Sequence, residues 1–315
     1  MESNILEIKN LTLNAIINNR EVNILNRVSI EIPDSRTVAL VGESGSGKTL
    51  TALSIIKLLE KNLIIKEGEI IFHSKRIDNL NEDNIRKIRG REIAFVFQEP
   101  MTALNPVVDI ETQITEILTE HQISDRDSAR KKAAGILEKL SIPSSKINSY
   151  PHNFSGGQRQ RILIAMALIS SPKLLIADEP TTALDVVTQL EILNLLEDLK
   201  KENKLSVILI THNFAIVSKY SDYTYVMYMG EIVEAQNTED IIKEPKHPYT
   251  KALLDSIVKL GTKDKLKSIK GIMPSITDIP AGCRFKTRCD YADEKCDKEP
   301  PVKKIKNGYY RCWNI

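Results

Sequence analysis

The sequence predicts an α/β protein on a largely parallel sheet, with an antiparallel β portion beside it and a small cysteine-bearing segment at its C-terminal end. Three observations carry this. Short apolar or β-branched runs, "TVALV" (37–41), "IAFVF" (93–97), "KLLIA" (173–177) and "SVILIT" (206–211), alternate with stretches of helical periodicity. Each run also leads into polar chemistry: a glycine-rich stretch, Gln98, the pair Asp178-Glu179, and His212. In an open parallel sheet, ligands bind beyond the carboxyl ends of the strands. Lastly, the pattern changes near residue 258, where the chain becomes rich in Lys, Pro and Cys.

Residues 5–32 and 68–73 alternate with period two, as a half-buried antiparallel sheet does. Apolar residues recur at helical spacing at Ile110, Ile114, Ile117 and Leu118, and at Ala129, Ala133, Ile136, Leu137 and Leu140. Residues 100–170 are therefore expected as a helical insert. A further helix is expected through Leu190, Leu193, Leu196 and Leu199. The expected domains are 1–258 and a C-terminal extension, 259–315.

Composition narrows the class. Of 315 residues, 42% are apolar and 27% charged, ordinary values for a globular protein with a sizeable core. The longest apolar run, Ile162 to Ile169, falls well short of the roughly 18 residues of a membrane span, and the N-terminus has no signal pattern. A cytosolic chain is expected, reaching a membrane only through partners. Residues 259–315 hold twice as many Lys and Arg as Asp and Glu. Without interleaved aromatics on a basic face, this reads as a solvated face and not as a nucleic-acid surface.

The stretch Gly42-Glu43-Ser44-Gly45-Ser46-Gly47-Lys48-Thr49 fits G-x-x-x-x-G-K-[ST], with a strand before it and a helix after. Its glycines let successive N–H groups converge on an anion, and the helix adds its positive end. Lys48 is placed to reach terminal phosphates and the Thr49 hydroxyl to bind Mg²⁺. Asp178 closes a hydrophobic strand, where it suits Mg²⁺, and Glu179 beside it suits a general base for an attacking water. The paired acids also fit a helix N-cap, with Pro180 in a first helical turn. "FSGGQRQR" (154–161) offers a second phosphate-binding helix start, with Ser155 as cap followed by Gly156, Gly157 and Gln158. One nucleotide does not need two such sites in one small domain. The economical arrangement is two chains, head to tail, each closing the other's nucleotide.

On these residues the chain resembles the ATP-binding subunits of ABC transporters over residues 1 to about 258. "GESGSGKT" resembles the Walker A motif of this P-loop NTPase fold, "LLIADE" the Walker B and "FSGGQ" the signature, with Phe154 where leucine is commoner. Gln98 resembles the Q-loop residue, Asp185 the D-loop and His212 the switch histidine. The resemblance implies catalysis by Glu179, His212 and Gln98. It also implies ATP contacts from the Gly42–Thr49 loop, Gln98, Asp178, Ser155, Gly156, Gly157, Gln158 and Asp185, and Mg²⁺ at Thr49, Gln98 and Asp178. One departure is that no aromatic residue precedes Phe72 to stack on adenine; an aliphatic contact from Val22 or Ile24 would have to serve.

"FVFQEPMTALNPV" (95–107), "HPYTKALLDSIV" (247–258) and "GCRFKTRCDYADEKCDKEPP" (282–301) resemble the D-type subunit of oligopeptide, dipeptide and nickel importers. That resemblance implies an F-type ATPase partner, two membrane permeases, an extracellular substrate-binding protein, and a place at the cytoplasmic face of the membrane. Peptides are the expected cargo, with nickel as the alternative. A non-transport ABC ATPase of DNA repair or translation is the rival of another class. Those forms carry a coiled-coil insertion or tandem ATPase units, and this sequence has neither.

All four cysteines lie in the extension, as C-x5-C-x6-C-x15-C at Cys283, Cys289, Cys296 and Cys312. Cytosolic chains rarely form disulfides. The close pairs usual in zinc modules are missing, and four thiolates equally suit a [4Fe–4S] core. The resemblance implies such a cluster; zinc and unliganded thiols remain open. Arg284, Arg288 and Arg311 are expected to offset the charge of the cluster.

Overall fold

The computed structural model describes residues 3–98, 103–182, 184–256 and 269–314. By its contacts the chain divides into two compact units. The first is Met1–Ile5, Pro33–Arg36 and Asn79–Ile208; the second is Leu6–Ile32, Thr37–Asp78 and Leu209–Ile315.

In the first unit, β6 (Ile93–Val96) pairs in parallel with β7 (Leu174–Asp178), Ile93 facing Leu174 and Val96 facing Ala177. β8 (Ser206–Thr211) follows β7 in the sheet, and its residues divide between the units. Every residue of β7 and β8 is buried, as a strand covered on both faces must be. β6 stops one residue before the end of the expected run: Phe97 leaves the strand and is 45% exposed. The helical insert appears as α3 (Ile110–Glu120), α4 (Arg126–Lys139) and α5 (Gly156–Leu168), preceded by the short α2 (Glu82–Arg86) and followed by α6 (Val186–Asn203). Their starts are fixed locally. The Asp109, Asp125, Ser155 and Asp185 side chains each accept an N–H from the first turn of α3, α4, α5 and α6.

The second unit holds two sheets. β1 (Asn4–Ile17), β2 (Arg20–Pro33), β4 (Leu63–Phe72) and β5 (Lys75–Arg76) form the antiparallel one, in the order β2-β1-β4-β5. The other runs β11-β12-β10-β9-β3-β8, with β3 (Thr37–Val41), β9 (Tyr223–Tyr228), β10 (Glu231–Asn237), β11 (Val302–Ile305) and β12 (Gly308–Arg311). β3 and β9 are parallel, while β9, β10, β12 and β11 continue antiparallel. The extension, read from the sequence only as a Lys-, Pro- and Cys-rich segment, thus contributes a hairpin hydrogen-bonded to β10. The expected boundary at 258 lies outside the described residues.

The core of this unit gathers Ala39 and Val41 of β3, Phe214 and Val217 of α7 (Phe214–Tyr220), and Ile241 of α8 (Thr238–Lys243). It also takes Tyr249 and Leu253 of α9 (Pro248–Asp255) and Phe285 of the extension. Phe285, 3% exposed, packs edge-on to Tyr228 at 5.2 Å between ring centres and lies 5.3 Å from Tyr249. A buried aromatic ring of this kind contributes about 2–3 kcal/mol through area alone.

Candidate functional site

In the second unit, Gly42–Gly47 joins the end of β3 to α1 (Lys48–Ile55). Gly47 has φ +106°, and a Cβ there would stand 2.7 Å from Leu25 Cδ2, so glycine is required on both counts. The loop is held from outside. Glu43 N–H donates to Tyr249 Oη at 2.9 Å, and Gly230 N–H donates to the Ser46 carbonyl at 2.7 Å. Lys48 folds back over the loop: its Nζ donates to Gly42 O at 2.8 Å, Glu43 O at 2.9 Å and Ser46 Oγ at 3.3 Å. Ser44, Gly45 and Thr49 face outward. A buried ammonium behind an exposed glycine loop and a helix N-terminus is an arrangement for a polyanion. His212, the residue after β8, is exposed in the same unit.

In the first unit, Asp178 ends β7 and is 3% exposed. Glu179 follows at φ +44°, in the left-handed region that a non-glycine residue occupies only when its surroundings hold it there. Its Oε2 accepts from Gln98 Nε2 at 3.3 Å and from Thr182 Oγ1 at 2.8 Å. No helix begins here; Pro180 sits in a turn, so the N-cap alternative for the acid pair does not hold. At the start of α5, Ser155 Oγ accepts from Gln158 N–H at 3.3 Å and Gln158 Oε1 accepts from Ser155 N–H at 3.1 Å, a reciprocal capping box. The start of α6 lies against it, since a Cβ on Gly157 would fall 2.6 Å from Thr188 Cγ2. Thr188 Oγ1 donates to Asp185 Oδ2 at 2.7 Å, and this bond first, with the backbone bonds, keeps the Asp185 carboxyl below the usual carboxylate range. The structure therefore gathers Gln98 with Glu179, and Ser155, Gly157 and Gln158 with Asp185.

A family model described as "ABC transporter" matches residues 25–182. The oligopeptide transport ATP-binding protein OppD of Bacillus subtilis (strain 168) is 42% identical over 312 residues, covering 97% of this chain and 87% of that one. Its AppD counterpart in the same organism is 43% identical, covering 97% and 95%. The chain belongs to the ABC transporter family. Its fold is that of the ATP-binding cassette. A dimeric structure of the cassette MJ0796 in a post-hydrolysis state bound to ADP and Pi superposes with TM-score 0.67 at 28% identity, over 74% of this chain and 98% of that one. Membership makes this an ATP-binding, ATP-hydrolysing subunit.

A second model, "Oligopeptide/dipeptide transporter, C-terminal region", matches residues 233–296 of this ABC protein. Three of the four cysteines, Cys283, Cys289 and Cys296, lie in this region and Cys312 follows it; none of the four forms a disulfide. Burial first pushes the Cys283 thiol up to about 11, with Cys296, Cys289 and Cys312 adding to it, so the four thiols share one neighbourhood. Among the described residues, no three His, Cys, Asp or Glu side chains are arranged to hold a single metal ion.

Sequence reasoning missed the groups that hold the glycine loop. Arg288 Nη1 and Nη2 grip Glu43 Oε2 and Oε1 at 2.7 and 3.1 Å, and Arg284 Nε lies 3.2 Å from Glu231 Oε1 in a buried pair. Arg284 also donates to Met229 O and to Asn23 Oδ1. Arg311 pairs with Glu299. All three arginines were expected to offset charge at the cysteines; each is instead committed to a carboxylate. The partners of Arg284 and Arg288 are distant in sequence, so no local pattern could reveal them.

Proposed function

We propose that this chain is the ATPase subunit of a peptide importer, working at the cytoplasmic face of the cell membrane. One observation carries the reading: an ATP-binding cassette and an oligopeptide/dipeptide transporter C-terminal region stand on the same chain. Among the described residues no helix is long and apolar enough to cross a membrane, so the transport path belongs to partners.

The Gly42–Thr49 loop takes the triphosphate, its N–H groups on the phosphate oxygens and Lys48 exchanging its loop carbonyls for the terminal phosphates. Thr49, Gln98 and Asp178 supply oxygen atoms, the hard donors that Mg²⁺ prefers, and the ion's part is to neutralise charge on the phosphates. Glu179 takes the proton of the attacking water, with Gln98 and Thr182 orienting its carboxylate. His212 is assigned to the same step. Ser155, Gly156, Gly157 and Gln158 present a helix N-terminus to the nucleotide of a partner ATPase subunit, with Asp185 beside them. Such contacts exist only in the closed pair, so ATP shifts the equilibrium toward closure and loss of the γ-phosphate releases it.

The D-type resemblance names that partner as an F-type ATPase subunit, beneath two permeases served by an extracellular binding protein. A groove of about 420 Å³ in the first unit, bordered by Arg86, Phe97, Gln113, Glu120 and Met166, suits a permease contact; exposed Phe97 lies next to Gln98. The four thiolates suit a [4Fe–4S] core better than one ion, because they share a neighbourhood without closing on a point. Cys283, Cys289, Cys296 and Cys312 would hold it, and it would staple a short extension.

The test is uptake. Cells lacking this chain are expected to stop accumulating labelled di- or oligopeptides, with rescue by the parent chain. Loss of nickel uptake with peptide uptake intact would instead establish the nickel importer.

A further inference from the structure

We infer that Arg288 is a positioning residue for the Gly42–Thr49 loop, acting by neutralising Glu43. Its guanidinium makes a two-pronged pair with the Glu43 carboxylate, and the two side chains are only 4% and 29% exposed. Arg288 is itself fixed on the other side. Its Nε donates to Lys270 O at 2.9 Å, and its ring-face neighbour Tyr228 has its hydroxyl 3.5 Å from Nη1. Burial alone would lower its pKa, but the bonds to Glu43 and Tyr228 outweigh this and hold it above its ordinary value.

The placement explains why an acid is tolerated at that point. Glu43 is the second residue of a loop built to receive a triphosphate, where a bare carboxylate would repel the ligand. Arg288 cancels that charge and turns the carboxylate toward the extension, while Tyr249 Oη accepts the Glu43 backbone N–H. Arg284 acts indirectly: it donates to Met229 O in the β9–β10 turn, whose Gly230 N–H donates to Ser46 O. Both arginines lie in the stretch Cys283-Arg284-Phe285-Lys286-Thr287-Arg288-Cys289, bracketed by two of the four thiols and anchored by Phe285. The extension is therefore part of the nucleotide site, not a passive appendage.

The inference rests on the reading of Gly42–Thr49 as the triphosphate cradle, and the experiment separates the two. Equilibrium binding of ATP with Mg²⁺ and steady-state hydrolysis are measured for Arg288→Ala, Arg288→Lys, Arg288→Ala with Glu43→Gln, and Lys48→Ala. Arg288→Ala is expected to weaken ATP binding about tenfold, raising KM with kcat little changed. Arg288→Lys keeps the charge without the fork and is expected to lose about threefold. Adding Glu43→Gln to Arg288→Ala removes the exposed charge and is expected to restore most of the affinity, which a purely structural role for Arg288 would not allow. If Arg288→Ala does not fold, the same comparison is made with Arg288→Lys, whose smaller loss Glu43→Gln must likewise reverse. ATP affinity unchanged in the arginine variants, or a loss that Glu43→Gln fails to relieve, overturns the inference. Unimpaired binding by Lys48→Ala overturns the cradle reading instead.

Discussion

Gln98 Nε2 donates to Glu179 Oε2 at 3.3 Å, and Thr182 Oγ1 donates to the same oxygen at 2.8 Å. Two donors on one oxygen hold the carboxylate at the end of β7, where the backbone of Glu179 is left-handed. Glu179→Gln is expected to keep ATP binding and to lower hydrolysis by about 10²–10⁴-fold, the usual contribution of a positioned base. Hydrolysis at the parent rate would assign the proton to another group.

The starts of α5 and α6 meet at Gly157 and Thr188. A methyl group on Gly157 has no room beside Thr188 Cγ2, and that side chain is pinned through its hydroxyl to Asp185. Gly157→Ala is expected to cost about 1–3 kcal/mol by overpacking. Urea unfolding checks it; an unchanged midpoint would show that the two helices part without cost.

His247 caps α9, its Nδ1 accepting from Tyr249 N–H at 3.0 Å, and burial pushes its pKa down to about 3. The folded chain holds this imidazole neutral while the unfolded chain protonates it near pH 6.5. Between those values the unfolded state binds more protons, so stability is full above pH 6.5 and falls as pH drops below it. The slope reaches up to about 1.4 kcal/mol per pH unit and levels off below about pH 3. His247→Asn retains a capping acceptor and is expected to lose about 2 kcal/mol less than the parent between pH 7 and 5. Equal losses in denaturant titrations at both pH values would contradict this.

The cysteine quartet has a direct assay. Anaerobically purified chain is expected to carry about four irons and four sulfides and a broad visible absorption. A colourless, iron-free chain whose extension is folded would remove the cluster from the account.

Much of the second unit's sheet and of the first unit's helices was legible because the signals are local. "TVALV" and "SVILIT" are fully buried strands, and Ser155 caps the helix that follows it. The β11–β12 hairpin was not legible: "VKKI" and "GYYR" carry charge at positions where a covered strand would not, and they are strands because β10 offers them an edge. The site divided the same way. The glycine loop and the acid pair announce themselves by residue type. The Arg288–Glu43 grip spans 245 residues, and the left-handed turn at Glu179 is imposed by its surroundings against the preference of the residue.

The central claim is that the loop between β3 and α1 binds the triphosphate through its amides and Lys48. Titration of Lys48→Ala with ATP and Mg²⁺, alongside its rate of phosphate release, tests it most directly. The account predicts that binding weakens by at least tenfold and that turnover is lost; affinity and turnover equal to the parent chain would contradict it.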